Sequence, residues 1–206
     1  MSAVPASLPP ARGASPAFGM WVFVASEVLF FGALLTAYVY GRIHAGAGFI
    51  SASRHTDVVL GTLNTAVLLT SSALIALAVA CAQHHGHRRW TARLLWATAA
   101  LGLVFLVIKG YEYSQEWQEG LFPGIDFALH APGAQLFFML YFVMTGLHAV
   151  HLVCGIATVV LFARGSAHRK GWVTPERIEA VALYWHFVDV VWIFLYPFLY
   201  LVERHA

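Results

Sequence analysis

The sequence predicts an all-α fold, a polytopic transmembrane bundle of five helices, and three observations carry that prediction. Sixty per cent of the 206 residues are hydrophobic and only 11% are charged, against about 25% charged in an ordinary soluble domain. Mean hydropathy is +0.71. The apolar residues gather into five runs near 18–41, 57–82, 93–114, 133–163 and 178–202, each long enough to cross a bilayer at roughly 20 residues per span.

The stretch 1–17 is rich in Pro, Ala and Ser and holds a single Arg12. It lacks the charged, apolar and small-residue order of a signal peptide. It reads as a disordered N-terminal tail, followed by one transmembrane domain over 18–206. The first run carries Glu27 about ten residues in. A carboxyl at that depth loses hydration and is expected in its neutral form unless a cation or donor offsets the cost. In the second run Asn64 and Ser71 are seven apart with Leu68 between them, one weakly polar face suited to close helix packing.

Lys109, Glu112 and Glu116 occupy neighbouring turns at the end of the third run and read as a solvated ion-pair ladder. Pro123-Gly124 and Pro132-Gly133 bracket the longest connection. The fourth run exceeds a straight span, so it should tilt or project beyond the bilayer. Within it His148 and His151 share a face with Gly155. Imidazole suits Zn, Cu and Fe, and His148 with His186 of the fifth run could clamp a b-type haem. Two helical histidines are only half a ligand set, however, and no second pair stands at matching depth. Hydrogen-bonded, metal-free histidines are the favoured reading.

The fifth run contains Tyr184-Trp185-His186-Phe187-Val188-Asp189-Val190-Val191-Trp192. An aspartate near the centre of a spanning helix costs roughly 2.5–3.5 kcal/mol on insertion scales, so it should face the bundle rather than lipid. His186 and Asp189 are three apart, share a face and could reach one neighbour.

Net charge is a modest +2, which gives no reason to expect a nucleic-acid partner. Cys81 and Cys154 lie in apolar runs and offer neither a disulfide framework nor a metal motif. Arg12, Arg88, Arg89, Arg93, Arg164, Arg169, Lys170 and Arg177 fall on the side of the N-terminus; Arg42, Arg54, Lys109 and Arg204 fall on the other. That bias puts the N-terminus in the cytoplasm and the C-terminus outside. His84, His85, His87, His168 and His205 sit in presumed loops or tails.

Several strings, in order along the chain, resemble subunit III of the haem-copper respiratory oxidases, the cytochrome c oxidase subunit 3 family. They are Ser26-Glu27-Val28-Leu29-Phe30-Phe31, Leu63-Asn64-Thr65 with Leu68-Leu69, Glu112-Tyr113, Gly146-x-His148-x-x-His151-x-x-x-Gly155, and Trp185-His186-Phe187-x-Asp189-x-x-Trp192. The matches run from about Trp21 to Tyr200 and are weakest on the third helix. The family has seven-helix members, and this chain is similar to their last five helices. The missing pair puts the associated lipid-cleft contacts in doubt.

The resemblance implies an accessory role beside subunit I, with subunit II in the same complex and the haems and copper in those partners. No cofactor is expected in this chain beyond bound phospholipid. Glu27 stands where the family has its buried, carbodiimide-reactive glutamate, and Arg164 where a lipid phosphate is contacted. The family's role is to bind lipid, protect the catalytic subunit and support proton uptake in a bacterial-type inner membrane. Glu27 and Leu63-Asn64-Thr65 favour the cytochrome c oxidase type; quinol oxidase and nitric oxide reductase forms remain open. Two other classes compete: a di-histidine membrane haem protein, and a proton-coupled carrier using Glu27 and Asp189. No span shows the mid-helix Gly-Pro break that points to a transporter site.

Overall fold

The computed structural model describes residues 16–84, 88–124, 127–168 and 170–201. The expected tail therefore lies outside the described residues up to position 15, as do His85, His87, Arg169, Arg204 and His205. Among the described residues six helices follow one another: α1 (Pro16–His44), α2 (Gly46–Ser53), α3 (Val58–Gln83), α4 (Arg88–Gln118), α5 (Ala134–Ala167) and α6 (Pro175–Tyr200). No strand occurs among the described residues.

Five of the six are long and apolar enough to cross a membrane, as the sequence predicts. Each extends past at least one of its expected ends. At 1.5 Å per residue the 34-residue α5 is about 51 Å long. That exceeds a hydrocarbon core of about 30 Å, so one end or both must project.

The eight-residue α2 is an addition to the expected architecture. It buries Phe49 and Ala52 and packs against α5. Its backbone approaches the start of α5 so closely that a Cβ on Gly48 would run into the Pro132 carbonyl oxygen. Gly133 supplies the matching turn with φ 89°, a conformation that glycine adopts without steric cost. Elsewhere the ends are set by ordinary capping. The Asp57 carboxylate accepts from Val59 N at 2.8 Å and Leu60 N at 3.1 Å to start α3, and Pro175 opens α6 where its missing N–H costs nothing.

Helices α3, α4, α5 and α6 form a four-helix core, and α1 lies against α6 and α5. Glycines set the closest approaches. Gly102 of α4 and Gly155 of α5 both face the Trp185 ring, and Gly61 of α3 faces Tyr196 and Tyr200. The outward surface is apolar: Leu29 is 76% exposed and Val107 71%. Such a surface belongs against lipid or other membrane helices.

Candidate functional site

Asn64, Lys109, Glu112, Glu116, His148 and Asp189 lie in the interior of this core, and the geometry corrects one reading at once. Lys109, Glu112 and Glu116 are not a solvated ladder; they are 5%, 2% and 4% exposed. Spacings of three and four place all three on one face of α4. Tyr141 of α5 and Tyr200 of α6 close over that face. Lys109 Nζ donates to Glu112 Oε2 at 3.0 Å, Tyr141 OH at 2.9 Å and Tyr200 OH at 2.7 Å. The two phenols in turn donate to Glu112 Oε1, at 2.9 Å and 2.6 Å.

All three ammonium N–H groups are thereby used, and Glu112 accepts three bonds. A desolvated ion pair survives only when its remaining hydrogen-bond capacity is met in this way. Tyr113 O–H and Thr145 hydroxyl pair beside it. Glu116, by contrast, is buried with no hydrogen-bond partner among the described residues.

One turn further in, His148 is 1% exposed and lies between the Phe105 and Trp192 rings, at centroid distances of 5.5 Å and 5.2 Å. Its ring nitrogens have no hydrogen-bond partner among the described residues. The expectation of a hydrogen-bonded histidine is not met at His148, whose ring is flanked by the Phe105 and Trp192 rings. Asn64 is fully buried on the face it shares with Leu68 and Ser71, as its spacing predicts, and its amide too lacks a partner.

Asp189 is 3% exposed and faces the bundle, as the cost of placing it in lipid requires. His186 Nδ1 is 2.7 Å from Ser72 Oγ. The Asp189 carboxyl oxygens, in contrast, have no hydrogen-bond partner among the described residues. The expectation of one neighbour bonded to both residues is therefore not met. Sequence reasoning did not reach the adjoining bonds from Trp185 Nε1 to Ser71 Oγ (3.0 Å) and Trp192 Nε1 to Thr65 Oγ1 (3.1 Å). The available signal is that a buried indole N–H nearly always finds an acceptor.

Glu27 and His151 meet across α1 and α5, with Glu27 Oε2 3.1 Å from His151 Nε2. Their side chains are 20% and 18% exposed, so the acid is half-buried and not isolated. His148 and His151 do not converge, because the first turns to α4 and α6 and the second to α1. Among the described residues no three His, Cys, Asp or Glu side chains come together as a metal set. Arg164 is exposed in the last turn of α5, with its guanidinium carbon 5.9 Å from the Trp96 ring centroid.

An apolar five-span bundle whose interior polar groups join helix to helix is the architecture of a polytopic membrane protein. Residues 13–203 match the family model for cytochrome c oxidase subunit III. The chain is 33% identical to the cytochrome c oxidase subunit 3 of Thermostichus vulcanus over 90% of this chain and 87% of that one. It is 31% identical to that of Corynebacterium diphtheriae over the same shares, 90% and 87%. It is also 30% identical to the haem-copper oxidase subunit I+III of Aeropyrum pernix, covering 89% of this chain but only 22% of that longer protein. The chain belongs to the cytochrome c oxidase subunit III family. It is a subunit III of a haem-copper oxidase, a membrane protein that works in a complex with other oxidase subunits.

Proposed function

We propose that this chain is a non-catalytic subunit of a cytochrome c-type oxidase, packed directly on subunit I, with subunit II in the same complex. The observation that carries the reading is the closed Lys109–Glu112–Tyr141–Tyr200 network, continued along α6 by the Trp192–Thr65, Trp185–Ser71 and His186–Ser72 bonds. These groups satisfy one another across helices, the use of polar side chains that holds a membrane bundle together. The haems and copper reside in the partner subunits, and none is held by this chain. Subunit I as the direct neighbour is supported by the Aeropyrum protein, whose name joins subunits I and III.

The N-terminus lies in the cytoplasm and the C-terminus outside. The burial of Lys109 supports this, since it removes one charge from the outer count. At the basic end, Arg164 engages a phospholipid phosphate, for which its planar donor fork is suited. The bundle with its bound lipid shields subunit I during turnover, and the basic collar supports proton uptake.

The test compares oxidase complexes with and without this chain over successive turnovers at two pH values. Initial turnover persists without it, inactivation comes sooner, and proton uptake slows as pH rises. Immediate and complete loss of activity in an assembled, fully metallated complex would refute the accessory role.

A further inference from the structure

A cavity of about 310 Å³ opens at the basic end of the bundle, where the last turns of α3 and α5 meet the first turns of α4 and α6. Gln83, His84, Arg88 and Ser166 contribute its polar wall, and Val173 and Ile178 its apolar wall. No carboxylate is among the described residues lining it. Glu176 and Glu179 of α6 are exposed and do not line it.

Ser166 is the telling residue. It is 3% exposed, and its hydroxyl has no hydrogen-bond partner among the described residues. Buried hydroxyls are nearly always paired, so one that lines a cavity marks where a ligand atom would complete it. The position is rigid: Gly165 packs so tightly on the returning chain that an added Cβ would lie 2.5 Å from Val173. Arg88 Nη2 donates to Lys170 O at 3.3 Å, which holds the guanidinium at the mouth and commits one of its five N–H donors.

We propose that this cavity binds a phosphate ester, with Arg88 gripping two phosphate oxygens and the Ser166 hydroxyl donating to a third. The planar fork of arginine fits two oxygens of one phosphate. The volume and the Val173–Ile178 wall exceed what a bare halide needs and accommodate the organic part of an ester. The site is separate from Arg164, whose side chain stacks on Trp96 outside the cavity. The ester can be a phospholipid headgroup or a soluble phosphate; the first source rests on the lipid-binding reading above, the second does not.

The test uses intact oxidase complexes carrying Arg88→Gln, Arg88→Lys, Ser166→Ala or Arg164→Gln, each checked for copurifying partner subunits. Ser166→Ala removes a single atom and leaves the helix intact. Native mass spectrometry counts retained phospholipids, and equilibrium dialysis of delipidated complex measures glycerol 3-phosphate binding. Arg88→Gln and Ser166→Ala each weaken binding about tenfold or more, and Arg88→Lys falls between because it keeps charge without the fork. Loss of one phospholipid identifies the membrane source. Loss of glycerol 3-phosphate binding with unchanged lipid identifies the soluble source. If neither readout changes with Arg88→Gln or Ser166→Ala, the site is refuted. Should Arg164→Gln alone change either readout, the cavity proposal fails while the lipid-binding reading stands. Should only the Arg88 and Ser166 variants respond, the cavity stands and the lipid contact proposed for Arg164 fails.

Discussion

Lys109→Met keeps most of the length of the unbranched side chain but removes one charge and three N–H donors from the α4–α5–α6 junction. Glu112 would keep its bonds from Tyr141 and Tyr200, at 2.9 Å and 2.6 Å. It would lose the ammonium at 3.0 Å. Glu112 is 2% exposed, so water cannot replace the lost partner. Breaking one side of a buried pair costs roughly 3–5 kcal/mol, most of it the charge left uncompensated. Glu112→Gln in the Lys109→Met background removes that charge while its amide oxygen still accepts from both phenols. The double variant should therefore recover about 2 kcal/mol or more relative to the sum of the singles. The assay is unfolding of the purified chain in mixed detergent and SDS micelles, followed by tryptophan fluorescence; the Trp192 ring lies 5.6 Å from Lys109 Nζ. A Lys109→Met chain that unfolds within about 0.5 kcal/mol of wild type, with no coupling to Glu112→Gln, would refute the reasoning. That is what a solvated surface pair gives.

Two further outcomes separate buried from half-exposed contacts in the same assay. Glu27→Gln and His151→Phe should each cost about 0.5–2 kcal/mol, the range for an interhelical polar contact within a membrane; a loss above about 3 kcal/mol would show that the contact is a fully desolvated ion pair like Lys109–Glu112. Gly48→Ala should cost about 1–3 kcal/mol, since its Cβ would meet the rigid Pro132 carbonyl. Gly110→Ala, with nothing within 4 Å of its Cβ, should be neutral or stabilising by up to about 1 kcal/mol. Equal effects at the two glycines would show that α2 does not pack on the start of α5 as described.

The spans were legible because hydropathy over about 20 residues is a strong, local signal, and the Asn64–Leu68–Ser71 face was legible because a spacing of seven returns to one side of a helix. Helix α2 escaped because eight residues containing Gly46 and Gly48 carry little periodicity and owe their order to α5. The ion-pair ladder was misread for a related reason. Lys109, Glu112 and Glu116 stand at the end of an apolar run, which in isolation looks like water. What encloses them is Tyr141, 32 residues on from Lys109, and Tyr200, 91 residues on. Glu27 and His151 are 124 residues apart, so the partner that relieves the acid was equally invisible from its own helix. Spacing tells which side chains share a face; only packing tells what the face meets.

How the polar bonds are distributed explains why α1 differs from the other spans. Between helices already in lipid there is little hydrophobic drive to associate, so small residues and interhelical hydrogen bonds must supply it. Along α6 they come at nearly every turn: Tyr200 with Lys109, Tyr196 with Thr62, Trp192 with Thr65, Trp185 with Ser71, and His186 with Ser72. Gly61, Gly102 and Gly155 let the backbones close around those rings. Helix α1 is joined to this core by Glu27–His151 and by Tyr38 O–H donating to the Phe198 carbonyl. Alongside these contacts, α1 and α6 leave apolar hollows lined by residues such as Val24, Val28, Phe187 and Val190. A zipper of hydrogen bonds fixes α3–α6 as one body whatever surrounds it, whereas the seating of α1 depends on what fills the apolar space beside it. Occupancy of that space by acyl chains or by neighbouring helices is therefore part of the stability of this subunit. Delipidation should loosen α1 before it disturbs the four-helix core.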